Sequence, residues 1–109
     1  MNNDSGSFGL SKRTIDQIVS IFAAHPLIEQ VIIYGSRAKG NYRHGSDIDL
    51  TIKGEAITLS ELMKIETELD DLLLPYKIDL SLLHKISDPE LRAHMARVGA
   101  VFFAKSQSA

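Results

Sequence analysis

Two stretches of the sequence alternate apolar and polar residues, and carboxylates occupy polar positions in both. The first runs over residues 47–53 (D-I-D-L-T-I-K) and the second over residues 77–82 (K-I-D-L-S-L). Strict alternation predicts half-buried β-strands, in which every second side chain points to the same face of a sheet. Asp47 and Asp49 therefore share one face, and Asp79 has the same place on the later strand. Side-by-side placement of these two strands would bring the three carboxylates together.

Carboxylates so close together destabilise a fold unless a cation neutralises them, because like charges repel. Hard divalent cations prefer oxygen ligands, so Mg²⁺ is the expected ion and Mn²⁺ the alternative. Three carboxylates around two such ions form the clamp used in phosphoryl and nucleotidyl transfer. Asp47, Asp49 and Asp79 are thus the predicted metal ligands and catalytic residues. The structural alternative is a plain ion pair between Lys77 and Asp79, which share a strand face.

A basic, glycine-containing segment lies just before the first acidic strand. It follows the β-branched run at residues 31–34, which predicts a buried strand, and reads G-S-R-A-K-G over residues 35–40. Gly35 allows a close approach of the backbone to a ligand, and the following N–H groups and the Ser36 hydroxyl are donors for an anion. Arg37 and Lys39 add positive charge, so we expect this segment to bind the phosphates of a nucleotide.

The remaining periodicity predicts a small α/β (α+β) domain. Helical patterns begin at Ser11, at the Thr58–Glu61 capping box and at Asp88, and residues 101–103 are either a last strand or a packed tail. We expect a mixed sheet of three to four strands with helices packed on one face. The predicted domain covers residues 11–104, with flexible tails at residues 1–10 and 105–109.

Composition narrows the classes of function. The 109 residues suffice for one small domain, and the absence of cysteine excludes a disulfide scaffold, thiolate zinc sites and cysteine catalysis. No apolar run approaches the roughly 18 residues of a membrane span, so we expect a cytoplasmic protein without membrane contact. The net charge of −2 gives no reason to expect direct nucleic-acid binding. His25, His84 and His94 have no ligand-like spacing and are predicted to be surface or cap residues.

The glycine–serine segment and the acidic strand together resemble a known signature. G-S-R-A-K-G at residues 35–40, followed by S-D-I-D-L at residues 46–50, is similar to the motif of the DNA polymerase β-like nucleotidyltransferase superfamily. The small size resembles its minimal nucleotidyltransferase (MNT) branch. The resemblance implies the nucleotidyltransferase fold, with Gly35 and Ser36 in the phosphate-holding turn; we include Arg37, Lys39 and Ser46 among the expected nucleotide-binding residues. Lys39 and Tyr42 depart from the usual pattern.

The resemblance also implies a function and a partner. MNT proteins are typically paired with HEPN-domain proteins, as antitoxins that transfer AMP from ATP to a tyrosine of the toxin. By this resemblance the chain binds ATP and two Mg²⁺ ions, and forms a hetero-oligomer with a HEPN-type protein. Asp79 matches the carboxylate that helps to activate the acceptor hydroxyl. Because the motifs account only for metal and triphosphate, we expect the partner to supply the remaining walls of the site.

Two other functions remain open at this stage. One is a binding module that neutralises a partner protein by complex formation, without catalysis. The other is a nucleotidyltransferase that acts on a small molecule, although such relatives usually carry an extra domain for the acceptor. The sequence does not determine the nucleobase preference, the identity and acceptor residue of the partner, or the stoichiometry of the complex. It also leaves open whether catalysis or binding provides the neutralisation.

Overall fold

The helices begin at the polar residues predicted to cap them. In the computed structural model, which describes residues 6–105, Ser11 Oγ accepts a hydrogen bond from the Thr14 N–H at 3.1 Å. Thr58 caps the next long helix, and Asp88 precedes Pro89 at the start of the last one. These oxygens satisfy backbone donors that a helix leaves unpaired in its first turn. The helices are α1 (Lys12–Ala23), α2 (Gly35–Lys39), α3 (Leu59–Asp70) and α4 (Pro89–Val98).

In the described part of the chain, residues 6–105, four strands form one mixed sheet, which confirms the predicted fold class. The strands are β1 (Gln30–Tyr34), β2 (Ile48–Lys53), β3 (Ile78–Leu82) and β4 (Ala100–Ala104), in the order β3-β2-β1-β4. β1 is antiparallel to both β2 and β4, whereas β2 and β3 are parallel. The parallel pair requires a crossover connection, and α3 supplies it. β2 and β3 therefore lie side by side, as the proposed carboxylate arrangement needs.

The hydrophobic core lies between the sheet and the pair α1 and α3. Every second residue of β2 contributes to it: Ile48, Leu50 and Ile52 are fully buried. Ile18 and Phe22 of α1 are equally inaccessible to solvent, as the apolar stripe of that helix predicts. Within residues 6–105, no helix has the length and apolar character that crossing a bilayer requires.

The other face of the sheet carries the acidic residues and is partly covered by α4. Ile32 and Tyr34 point to this face, opposite Thr51 and Asp49 of β2 in the strand register. The ring of His94 on α4 meets the Tyr34 ring edge-on, with 6.4 Å between centroids. We predicted all helices on one face, and in this detail the structure differs. The sequence of α4 has only a short apolar stripe, which gives no indication of the face it covers.

Segments predicted to be loose tails are in part packed against the domain. Leu10 is 3% exposed and belongs to the core, and Phe8 packs against that core. At the other end, the Lys105 N–H donates to the Glu29 carbonyl at 2.9 Å. The predicted boundaries at residues 11 and 104 are therefore too narrow, because isolated apolar residues in a polar segment were read as loop. The rest of the two predicted tails, residues 1–5 and 106–109, lies outside the described residues.

His25 fastens the segment after α1 to α3. Its Nδ1 lies 2.6 Å from Glu61 Oε2 and its Nε2 lies 2.7 Å from Glu68 Oε1. Burial alone lowers the pKa of His25, but the hydrogen bonds and charges of Glu68 and Glu61 outweigh it and raise the pKa above its ordinary value. The prediction of a surface or cap residue was wrong for His25, which is 7% exposed.

Candidate active site

Asp49 and Asp79 are direct neighbours in the sheet. They are register partners in the parallel pair of β2 and β3, so their side chains leave the same face. Asp47 lies just before β2 begins and is exposed. The Ile48 N–H donates to the Lys77 carbonyl at 2.9 Å, which ties the approach to β2 to the approach to β3. The structure thus brings the three predicted carboxylates to one edge of the acidic face.

The three carboxylates interact electrostatically. Burial raises the pKa of Asp49, the charges of Asp79 and Asp47 raise it further, and His94 lowers it. A cation placed among these oxygens would remove the repulsion, and carboxylates are the ligands that Mg²⁺ and Mn²⁺ prefer. The donor set therefore fits such an ion in its chemistry. Within residues 6–105, however, no three His, Asp or Glu side chains are gathered closely enough to form a ready metal cluster.

The turn from β1 into α2 lies against Asp49. Gly35 has φ +75°, a left-handed conformation that side chains rarely adopt. A Cβ at this position would overlap Asp49 Oδ2, so glycine is needed for the backbone to pass so close to the carboxylate. Ser36 follows at half exposure, and its carbonyl accepts from the N–H groups of Gly40 and Asn41. The predicted phosphate-holding turn is therefore adjacent to the predicted metal ligand.

Arg37 does not lie where a phosphate contact would be expected. It is 2% exposed, and its guanidinium donates to the Ser46 carbonyl from Nε at 3.1 Å and from Nη2 at 2.8 Å. Ser46 Oγ accepts from the Arg43 N–H at 2.7 Å, so both oxygens of this serine accept hydrogen bonds from the protein. Lys39, in contrast, is exposed at the end of α2. Lys39 is thus free to approach a bound anion, and the Ser46 hydroxyl keeps its own O–H to donate, whereas the buried Arg37 guanidinium is engaged by backbone carbonyls.

Two residues that we did not predict face the carboxylates. Tyr34 is opposite Asp49 in the register; burial raises the pKa of its hydroxyl, a hydrogen bond with Ser81 lowers it, and the charges of Asp49 and Asp79 raise it. His94 reaches the same face from α4 and acts on Asp49. Alternation along β1 would have placed Tyr34 on the acidic face. Nothing in the sequence indicated that α4 lies there, so His94 was predicted only as a surface or cap residue.

The fold and this site together define a class of protein: a nucleotidyltransferase domain, with paired carboxylates beside a glycine–serine turn. A family model described as "Polymerase beta, Nucleotidyltransferase" matches residues 16–108. The chain belongs to this family. The match includes both parts of the motif, residues 35–40 and 46–50, and also the strand that carries Asp79.

Solved structures with this fold include several toxin–antitoxin complexes. A chain of a toxin–antitoxin crystal structure with AMP-PNP aligns with TM-score 0.68 and 18% identity, over 85% of this chain and 75% of that one. A chain of the tri-AMPylated Shewanella oneidensis HEPN toxin in complex with its MNT antitoxin aligns with TM-score 0.64 and 14% identity, over 86% and 72%. For an MntA–HepT complex the TM-score is 0.62, with 18% identity over 86% and 73%. No curated protein sequence matches the chain.

Proposed function

We propose that this protein transfers AMP from ATP to a hydroxyl group of a partner protein, as the antitoxin of a HEPN-type toxin. The observation that carries the proposal is the register pairing of Asp49 with Asp79 beside the Gly35 turn, in a member of the nucleotidyltransferase family. The fold similarity to complexes of an MNT antitoxin with a HEPN toxin, one of them tri-AMPylated, supports the choice of acceptor.

In the proposed reaction, different residues accept the proton and bind the phosphates. The acceptor hydroxyl oxygen forms a bond to the α-phosphorus of ATP, and the bond from that phosphorus to the bridging oxygen breaks, so that pyrophosphate leaves. Asp79, which is exposed on the edge strand β3, takes the proton of the hydroxyl. Gly35 and Ser36 hold phosphate oxygens through backbone N–H groups and the serine hydroxyl. Lys39 approaches the same oxygens from solvent.

Mg²⁺ completes the proposed site. Asp47, Asp49 and Asp79 would hold the ions, with Mn²⁺ as a substitute. When bound, these ions supply charge stabilisation for the phosphates and lower the pKa of the acceptor hydroxyl. The chain's own contribution is to fix Asp49 and Asp79 side by side on two hydrogen-bonded strands.

The test is a mass measurement on the partner. The chain is purified together with the protein that co-purifies from its own host, and the complex is incubated with ATP and Mg²⁺. We expect the partner to gain the mass of one or more AMP groups. Asp49→Asn should slow the gain by about a hundredfold or more, because metal-based charge stabilisation is worth several kcal/mol.

Asp16→Asn is the matched control, because Asp16 is an exposed carboxylate on α1 that pairs only locally with Lys12. This variant should transfer AMP as the unaltered protein does. Equal transfer by the Asp49 variant, or no gain of mass with unaltered protein, would refute the catalytic proposal. If the Asp49 variant still protected cells from the partner, complex formation alone would account for neutralisation.

A further inference from the structure

The buried guanidinium of Arg37 joins three separate segments of the chain. Through Nε and Nη2 it donates to the Ser46 carbonyl, and through Nη1 it donates to the Phe8 carbonyl at 2.9 Å. Its Cζ also lies over two aromatic rings, 5.3 Å from the centroid of Tyr42 and 4.9 Å from the centroid of Tyr76. Arg37 is therefore a hub for the N-terminal segment, the loop before β2 and the segment before β3.

The contacts of Arg37 with Ser46 and Tyr76 lead to parts of the candidate site. Arg37 follows the Gly35–Ser36 turn directly, and Ser46 precedes Asp47. Tyr76 lies three residues before Asp79, at the entry to β3. One side chain thus connects the phosphate turn with the two segments that deliver the carboxylates.

The chemistry of arginine suits this position. A buried charge is costly unless it is paired or hydrogen-bonded, and here all three nitrogens of the guanidinium donate to backbone carbonyls. The planar group also lies over two aromatic rings, a contact that the compact ammonium of lysine makes less well. Three of its five N–H groups donate to backbone carbonyls, and the residue is only 2% exposed, so the guanidinium presents little surface to a phosphate.

Phe8 and Gly9 of the N-terminal segment pack against Arg37 and Tyr42. Gly9 has φ +75°, and a Cβ there would overlap the Tyr42 ring and come within 2.9 Å of Arg37 Nη1. Phe8, whose carbonyl accepts from Arg37, also has a positive φ of 59°. A non-glycine residue in this region is strained, so the surrounding contacts must hold it in place.

We propose that Arg37 is a positioning residue: it fixes the loop that ends at Asp47, and the entry to β3, relative to the Gly35–Ser36 turn. The inference rests on the proposed function for what the site does, but not for where Arg37 lies. This positioning role replaces the phosphate contact that the sequence predicted for Arg37. Removing the hub should therefore loosen residues 43–47 and weaken metal binding while the sheet remains folded.

Amide hydrogen exchange on the full chain tests the positioning role. Arg37→Lys keeps the charge but cannot donate from three nitrogens in one plane. We expect the amides of residues 43–47 to exchange at least about tenfold faster, whereas those of β1 keep their protection. Arg13→Lys, at an exposed position on α1, should change neither segment. Unchanged exchange at residues 43–47, or an equal loss of protection in β1, would overturn the proposal.

Tyr76 provides an independent pair of variants. Tyr76→Phe keeps the ring that packs on Arg37, whereas Tyr76→Leu removes it. The leucine variant should accelerate exchange at residues 43–47, and the phenylalanine variant should not. If the two variants behaved alike, the ring would have no part in the hub, and the proposal would fail even if Arg37→Lys did not fold.

Metal binding distinguishes this inference from the proposed function. We expect Arg37→Lys to weaken Mn²⁺ binding by about tenfold in an electron paramagnetic resonance titration, as the loss of a residue behind a metal ligand typically does. If the unaltered protein binds no Mn²⁺, the proposed function fails, but the exchange experiment still decides the role of Arg37. If only the affinity for metal-free ATP falls, Arg37 contacts phosphate and the proposal is wrong.

Discussion

Among single residues, Gly35 and Asp49 depend on each other most directly. The backbone at Gly35 is left-handed, and its missing side chain leaves the space that Asp49 Oδ2 occupies. Gly40, at the end of the same short helix, has φ +87° but has no atom within 4 Å of where a Cβ would be. The two glycines share the backbone constraint and differ in the neighbouring carboxylate, so they form a natural pair for comparison.

We predict that Gly35→Ala and Gly40→Ala each destabilise the protein by about 1–2 kcal/mol, because an L residue is strained at these φ values. Only Gly35→Ala should also reduce AMP transfer, by about tenfold or more, since its methyl group would displace the Asp49 carboxylate. Urea unfolding gives the first quantity and the rate of mass gain by the partner gives the second. A similar loss of transfer in both variants would show that backbone strain alone is responsible.

The sheet face of a site residue could be predicted where the alternation of apolar and polar residues along a strand determines which way its side chain points. Alternation along β2 and β3 was enough to place Asp49 and Asp79 on one face, and the structure has them as register partners. Arg37 was different, because the sequence shows its charge but not the rings and carbonyls that surround it. Its partners come from positions 8, 42, 46 and 76, and no local pattern reports contacts over such separations.

Among the elements, α3 has two roles that its acidic sequence did not distinguish. It is the crossover between β2 and β3, and it holds the segment after α1 through the contacts of His25 with Glu61 and Glu68. Two carboxylates of this helix therefore have a buried partner. Part of the helix's negative charge raises the pKa of a buried imidazole.

The raised pKa of His25 predicts a pH-dependent contribution of this contact to stability. Because the folded-state pKa lies above the unfolded value of about 6.5, the contribution is complete below that value and is lost as pH rises through the folded-state pKa. We expect His25→Gln to lower the free energy of unfolding by ~1–2 kcal/mol near pH 6 and by less near pH 9. Urea unfolding at the two pH values measures the difference.

His44→Gln is the control for this experiment. His44 is exposed in the loop between α2 and β2, so its replacement should change stability little at either pH. An equal loss for His25→Gln at pH 6 and pH 9 would mean that the protonated form of His25 contributes no extra stability.

The elements themselves were largely predictable, because caps, stripes and alternation are local signals. All four strands and the three longer helices correspond to predicted segments, and β4 was one of two alternatives for residues 101–103. What local signals did not provide was the place of α4. The face that a helix covers depends on which surface the rest of the fold leaves open, and that is decided by the sheet order.

For the whole molecule, the described domain extends beyond its predicted ends. Leu10 is a core residue, so Leu10→Ala should cost about 2–3 kcal/mol in the free energy of unfolding through lost burial and a residual cavity. Leu73, which is 88% exposed, is the matched control, and Leu73→Ala should change stability by less than about 0.5 kcal/mol. The midpoints of urea unfolding compare the two. Similar costs would show that the segment before α1 does not contribute to the core.

The strand order could not be read from the sequence. Periodicity showed that two acidic strands exist but not that they are adjacent, and the carboxylate site was predicted on the condition that the two strands lie side by side. The register pairing in the structure supports that reasoning for Asp49 and Asp79. For the ends of the chain, the same reliance on local pattern failed, because one or two apolar residues form no period.

The parallel pairing of β2 and β3 also has a consequence for the order of folding. β1 and β2 meet across a connection of moderate length, whereas Asp49 and Asp79 lie 30 residues apart and can meet only after α3 has crossed over. Contacts between distant positions carry the larger loop-closure entropy and tend to form later. The carboxylate pair is therefore expected among the late features to assemble, so a partly folded chain would have its hydrophobic hairpin before it has a place for nucleotide.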